Sequence, residues 1–194
     1  MRNIIAAMQI SLDGYIEGPD GELDWIENWE DSYGLMAQVD TCILGAGMYP
    51  GYEQYWTAVL AEPGAPLPFS GKVATQGEVD YANFARHTPH VVLSTSLQSA
   101  TWDNTCIVRD VEQIRRLKQQ PGKDMYAVGG AALVSSLIEA ELIDELRLAI
   151  HPIVLGRGNL LFKDIARRHA LELIHTRQLP WGTVEMSYRF KVAS

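Results

Sequence analysis

The chain has 194 residues, 47% of them apolar, and a formal net charge of −8. That length suits one domain able to bury about 70% of its unfolded surface, and no run of 18 apolar residues is present to span a membrane. The negative charge disfavours nucleic acid and anionic membranes as partners, so any bound phosphate has to be held by local groups. Cys42 and Cys106 each sit in an apolar run, which fits buried free thiols in a reducing cytoplasm.

Asn3–Ile10 reads as a first strand with no signal-peptide pattern ahead of it. Ser11-Leu12-Asp13-Gly14 closes it, with Asp13 as a turn former. After the loop around Gly18-Pro19-Asp20-Gly21, Asp24 is placed to cap a helix over Trp25–Gln38. Thr41–Leu44 is a second short strand, stopped by Gly45-Ala46-Gly47. Tyr52, Tyr55, Trp56, Val59 and Leu60 fall on one stripe of an amphipathic helix and read as core packing. Proline and glycine break up Glu62–Glu78, the composition of a lid or binding loop. Asp80 is expected to cap a short helix through Arg86. His90–Ser94 and Thr105–Val108 are the next strands, and Asp110 caps a helix over Val111–Gln120 that Pro121-Gly122 ends.

Met125–Val128 is a buried strand that halts at Gly129-Gly130. Leu133 with Leu137, and Val134 with Ile138, then fall at i,i+4 of a helix. A glycine pair between strand and helix leaves backbone N–H groups open to an anion, at a helix end carrying about half a positive charge; the alternative is a tight turn whose glycines only let the chain pass. Leu146, Leu148 and Ile150 form one apolar face of a further strand, and the following His151 reads as structural. Leu171–Leu179 and Thr183–Val192 flank Pro180-Trp181-Gly182 and predict an antiparallel hairpin. The order of elements predicts a three-layer α/β domain over residues 1–194, with a mostly parallel central sheet and an antiparallel C-terminal hairpin. Ligands of such sheets sit beyond the carboxyl ends of strands. Three strands end there in small residues, at Gly45-Ala46-Gly47, Ser94-Thr95-Ser96 and Gly129-Gly130-Ala131. Together they are expected to form a groove for an extended, phosphate-bearing cofactor.

The segments IIAAMQISLDGYIEGPDGELDW, VDTCILGAGMY, PHVVLSTSL and YAVGGAALVSSLIEAELIDELRLAIHPIVLGRG, in that order, resemble the dihydrofolate reductase-like superfamily. The likeness is greatest to the branch holding the reductase domain of the bifunctional riboflavin-biosynthesis deaminase–reductases. It implies NADPH-dependent hydride transfer by a cytoplasmic enzyme, commonly a homodimer. Carried over by position, Gly129, Gly130 and Ala131 with Leu133 bind the pyrophosphate side of the cofactor. Gly45, Ala46 and Gly47 line its phosphate and ribose, and Ser94 and Thr95 lie near the adenosine 2′-phosphate. The Ser11–Ile16 loop covers the nicotinamide, while Trp25, at the mouth of the pocket, and Tyr49 are assigned to the substrate. Relatives carry Gly-Arg-x-Thr where this chain has Gly45-Ala46-Gly47-Met48. The arginine for the 2′-phosphate is therefore missing, NADH stays open as cofactor, and Arg109 or Lys118 is left to substitute. Tyr49-Pro50-Gly51-Tyr52 replaces the riboflavin branch's Asp-Asp/Asn-Pro run. The deaminase motif, HxE with PCxxC, is absent, and no metal site is expected.

Hydride transfer needs the nicotinamide C4 and an electrophilic C=N or C=O in near contact with water excluded. The accompanying proton comes from a carboxylic acid or an ordered water. Glu30 and Asp31, among Trp25, Trp29 and Tyr33, are the candidate acids, in surroundings able to raise a carboxyl pKa. The alternative is that both are solvated residues of a helix's first turn. The expectation is an NAD(P)H-dependent reductase of a small heterocyclic or carbonyl substrate. A 5-amino-6-(ribosylamino)uracil-type or dihydrofolate reductase is one alternative, and a non-catalytic nucleotide-binding or dimerisation module is another.

Overall fold

The computed structural model describes residues 1–67 and 71–191; Val192, the last residue of the predicted hairpin, lies outside them. In chain order the elements are β1 (Ile4–Ser11), β2 (Tyr15–Glu17), β3 (Val39–Gly45), α1 (Tyr49–Ala61), α2 (Gln76–His87), β4 (His90–Leu93) and β5 (Thr105–Val108). Then come α3 (Val111–Lys118), β6 (Asp124–Gly129), α4 (Ala131–Glu139), β7 (Glu145–His151), β8 (Asn159–Leu160), β9 (Leu171–Gln178) and β10 (Val184–Phe190). Eight strands make one sheet in the order β5-β4-β3-β6-β1-β7-β10-β9. All neighbours are parallel except β10, which runs against both β7 and β9. The mostly parallel α/β sheet and its antiparallel C-terminal hairpin are as the sequence predicts.

β1 shows why there are three layers. Ile4, Ala6, Met8 and Ile10 join one core with Ile114 of α3 and Leu133, Val134 and Leu137 of α4. Ile5 and Ala7 join the other, with Tyr52, Trp56 and Val59 of α1 and Tyr81 and Ala85 of α2. A strand covered on both faces reads as a continuous apolar run because successive side chains feed opposite cores. Each fully buried Ile or Leu contributes about 2 kcal/mol of transfer free energy. At the end of the sheet away from the strands' carboxyl ends, buried Arg2 binds Asp40 and Thr41, and buried Lys118 binds Asp144 and the Leu142 carbonyl.

Two local expectations are corrected, and one short strand pairing is new. Trp25–Gln38 is not helical. Its hydrogen bonds go elsewhere: the Trp29 amide donates to Glu78, and the Tyr33 hydroxyl donates to the Met8 carbonyl and accepts from the Ala149 amide. Both Asp31 carboxylate oxygens are taken by the Leu35 and Met36 amides, each at 2.7 Å, and Gly34 has φ +69°. Asp80 does not start α2; Thr75 does, in a capping box whose hydroxyl accepts from the Glu78 amide while the Glu78 carboxylate accepts from the Thr75 amide. Asp80 lies inside the helix and accepts from the Gln76 side chain. Finally, β2 and β8 pair into a two-stranded sheet that carried no periodic signal, being three and two residues long.

Candidate active site

The sheet's carboxyl edge opens on a cavity of about 930 Å³. Gly45, Ala46 and Gly47 after β3, Ser94 and Thr95 after β4, and Gly130, Ala131 and Leu133 at the start of α4 all line it. The three small-residue loops therefore meet at one site. They meet closely: a Cβ built on Gly45 would lie 3.4 Å from the Leu133 Cβ and 3.8 Å from the Gly130 nitrogen. Gly129 has a different task. It lies outside the lining, with φ +133° and a cis peptide to Gly130, and a Cβ there would press on the sulfurs of Met8 at 3.0 Å and Met48 at 3.3 Å. It lets β6 pass between two methionines rather than facing the cavity.

Two helices begin on the cavity wall, and their starts are alike. α4 follows Gly130 and α1 follows Met48; neither has a side-chain cap or an acidic residue in its first turn. α2 and α3, by contrast, are capped by Thr75 and Asp110 and carry Glu78 and Glu112 in the first turn. The first-turn N–H groups of α4, and those of Tyr49 and Gly51 in α1, where Pro50 has none, have no intrahelical acceptor and carry the positive end of the helix dipole. No atom lies within 4 Å of a Cβ built on Gly47 or Gly51, both of which line the cavity. Open space, bare amides and absent carboxylates together fit a bound diphosphate.

Cationic groups are few. Arg109 lines the cavity beside Ser94, its guanidinium donating to the Ser94 and Leu97 carbonyls at 2.8 Å each. Lys118 is excluded as its substitute, being buried at the far end of α3 with Asp144. Lys163 also lines the cavity, next to α4, where its carbonyl accepts from the Ser135 hydroxyl. Ser94 is buried, and its hydroxyl accepts the Ser96 and Leu97 amides, so it shapes this loop from within.

The face of the cavity toward α1 and α2 is aromatic. Trp29, Tyr33, Tyr52, Tyr55, Trp56 and Tyr126 line it, with Glu30 and Asp31. The stripe read as core packing thus serves both core and cavity. Burial drives the Tyr33, Tyr52 and Tyr126 hydroxyls well above the ordinary phenol range, and burial with the Glu78 carboxylate does the same to Tyr55. These rings stay neutral. Glu78, unmarked in the sequence reading, is buried and accepts from Tyr55, Trp29 and Thr75; the Thr75-x-x-Glu78 spacing was its available signal.

Both residues assigned to substrate lie outside the cavity lining. Tyr49 is buried and its hydroxyl meets Thr105, because α1 starts earlier than the stripe suggested and turns this ring into the core. Trp25 stacks edge-on against His151 at 5.2 Å. His151 contacts the Gln9 amide oxygen at 2.7 Å, and burial lowers its pKa. Gln9 itself reaches the cavity. Of the Ser11–Ile16 loop, Ile16 alone lines it, over Gly130. Asp13 is the turn former expected: it accepts from the Ser11 hydroxyl and the Leu155 and Gly156 amides, and these bonds, Ser11's foremost, hold its carboxyl below the usual range.

Comparison with known proteins agrees with this architecture. Residues 2–184 match the family described as the RibD C-terminal domain. The Bacillus subtilis (strain 168) protein YyaP is 31% identical over 193 residues, covering 97% of this chain and 95% of YyaP. A pyrimidine reductase-like protein from Corynebacterium diphtheriae superposes with a TM-score of 0.66 at 15% identity, covering 99% of this chain and 93% of that one. Dihydrofolate reductase from Enterococcus faecalis, complexed with NADP(H) and RAB-propyl, gives 0.62 at 14% identity, covering 98% and 97%. At these identities the structural likeness is one of fold. The chain belongs to the RibD C-terminal domain family, on a dihydrofolate reductase-like fold.

Proposed function

We propose that this protein is a cytoplasmic, homodimeric, NADPH-dependent reductase of a small heterocyclic or carbonyl substrate. The observation that carries the reading is the single cavity in which three small-residue loops and two uncapped helix starts adjoin an aromatic chamber. Gly45, Ala46, Gly47, Gly130, Ala131 and Leu133 would hold the diphosphate and ribose. Thr95 and Arg109, with Ser94 shaping their loop, would meet the adenosine end. Arg109 supplies the charge that Ala46 lacks, which favours NADPH over NADH. NADPH, when bound, supplies the hydride, and the chain's part is to orient the two rings and keep water out.

Glu30 and Asp31 are the carboxyl groups on the chamber wall available for proton delivery. Glu30 is preferred: its carboxyl lies over Gly77 at the start of α2, whereas both Asp31 oxygens already accept backbone amides. Of the two free cysteines, Cys42 is buried as expected, whereas Cys106, expected buried, is exposed on β5, the strand at one end of the sheet.

Titration with NADPH and NADH tests this directly, since Trp29 and Trp56 line the cavity and give a local fluorescence signal. The expected outcome is saturable quenching by NADPH at lower concentration than NADH, with oxidation of NADPH when a heterocyclic or carbonyl acceptor is added. Absence of saturation at millimolar cofactor overturns the reading.

A further inference from the structure

The charges around the cavity are unevenly placed. Its two cationic residues, Arg109 and Lys163, belong to the cofactor side: one is fixed on the carbonyls after β4, the other is tied to α4, and Glu17 and Asp110 also line the cavity outside the aromatic chamber. The aromatic chamber toward α1 and α2 carries Glu30 and Asp31, and none of its described lining residues is Lys, Arg or His. The segments outside the described residues, Pro68-Phe69-Ser70 and Val192-Ala193-Ser194, contain no cation either. Arg147 and Arg177 line an adjoining cleft that shares Asp31 and Tyr33 with the chamber, but each is already paired there, Arg147 with Glu145 and Arg177 with Glu185. The chamber's aromatic hydroxyls are neutral, so they offer hydrogen bonds and no counter-charge.

We propose that the substrate taken by this chamber is a flat ring system bearing no phosphate and no carboxylate, neutral or positively charged. This rests on the reductase reading above. An anionic group brought into the chamber would leave water to face two carboxylates with no cation to pair it, and burial of an unpaired charge is the costliest form of desolvation. A ring amine or protonated ring nitrogen meets the same carboxylates favourably. Flatness fits the walls: the rings of Trp29, Tyr52, Tyr55, Trp56 and Tyr126 line the chamber, and a planar ring packs against aromatic faces and edges. A phosphoribosyl substituent therefore has no seat here, whatever ring carries it.

The test uses the protein loaded with NADP+ and ligand-observed NMR on matched pairs: pterin against pterin-6-carboxylate, and 5-amino-6-(ribosylamino)uracil against its 5′-phosphate. The expected result is that the anion-free member binds at least about tenfold tighter, a difference of about 1.4 kcal/mol. Glu30→Lys is expected to reverse the preference, and Glu30→Gln to narrow it should the lysine variant not fold. Equal or tighter binding of the anionic members to the wild-type protein overturns the proposal, and so does the failure of every anion-free member to bind at millimolar concentration. Failure of NADP+ to load strikes the reductase reading itself, whereas loading followed by a preference for anions strikes only the substrate class.

Discussion

A Cβ at Gly130 would meet only the Ile16 side chain, at 3.9 Å, and Gly130 is the N-cap of α4. Aspartate is a favoured N-cap, so Gly130→Asp is expected to fold with little change in melting temperature. Its carboxylate would take the first-turn amides that a diphosphate needs, and NADPH affinity should fall at least about 100-fold, near 3 kcal/mol. Fluorescence titration beside a thermal melt separates the two effects; unchanged affinity removes the diphosphate assignment. Arg109→Gln is expected to weaken NADPH about tenfold, the scale of one hydrogen bond to a charged group, and to leave NADH unchanged. Sequence could name Arg109 and Lys118 as substitutes for the missing arginine, since both follow β5. It could not separate them, because only the packing of α3 sends Lys118 to the opposite edge of the sheet.

His90 gives a pH prediction. It is 1% exposed, and burial lowers its pKa to about 4. A histidine whose folded pKa lies below its unfolded value of about 6.5 stabilises the fold fully above pH 6.5. That contribution is lost as pH falls from 6.5 toward 4, up to about 3 kcal/mol. Urea melts should therefore show the stability gap between wild type and His90→Gln narrowing on acidification; a gap that is constant or widens toward pH 4 contradicts the assignment.

Among the elements, α2 shows how one side chain can fix both a helix and a chamber wall. Thr75→Ala removes a cap worth about 1 kcal/mol. Glu78→Ala removes the same box, takes away the carboxylate to which the Tyr55 hydroxyl donates, and strands the Trp29 amide, which costs about 1–3 kcal/mol when buried without a partner. The glutamate variant should be the less stable by at least about 1 kcal/mol; equal losses would mean that Glu78 caps α2 and does nothing for the wall. α4, β7 and β10 were legible because each is long enough for a period of 2 or 3.6 to repeat against a core, and β1 because it is a continuous apolar run covered on both faces. The 25–38 segment was not. Its polar groups bind Glu78, Met8 and Ala149, partners far along the chain, and a local reading supplied a helix where distant acceptors do the work.

For the molecule as a whole, the hairpin is the unfinished part. β9 is the sheet's edge, exposed at seven of its eight residues, with Leu173 and Ile174 at 50% and 37%. Trp181 in the turn and Val184 on β10 are also open, at 63% and 38%. An edge strand of that kind is a template for pairing or covering, and a homodimer across it is the expected outcome. Analytical ultracentrifugation should find a dimer that Ile174→Lys dissociates; a wild-type monomer would refute it. The sequence shows the alternation of β10 plainly, yet a period of two is the same whether a face is covered by its own subunit or by another.

The Trp29–Asp31 segment lies across the sheet edge, held by a phenol on Tyr33 and a carboxylate on α2, whereas the three small-residue loops are the strand ends themselves. The two halves of the cavity are thus built from separate stretches of chain. Under the function proposed above, residues near position 30 could be redrafted to suit another acceptor molecule while the strands that would seat the reducing agent are left alone.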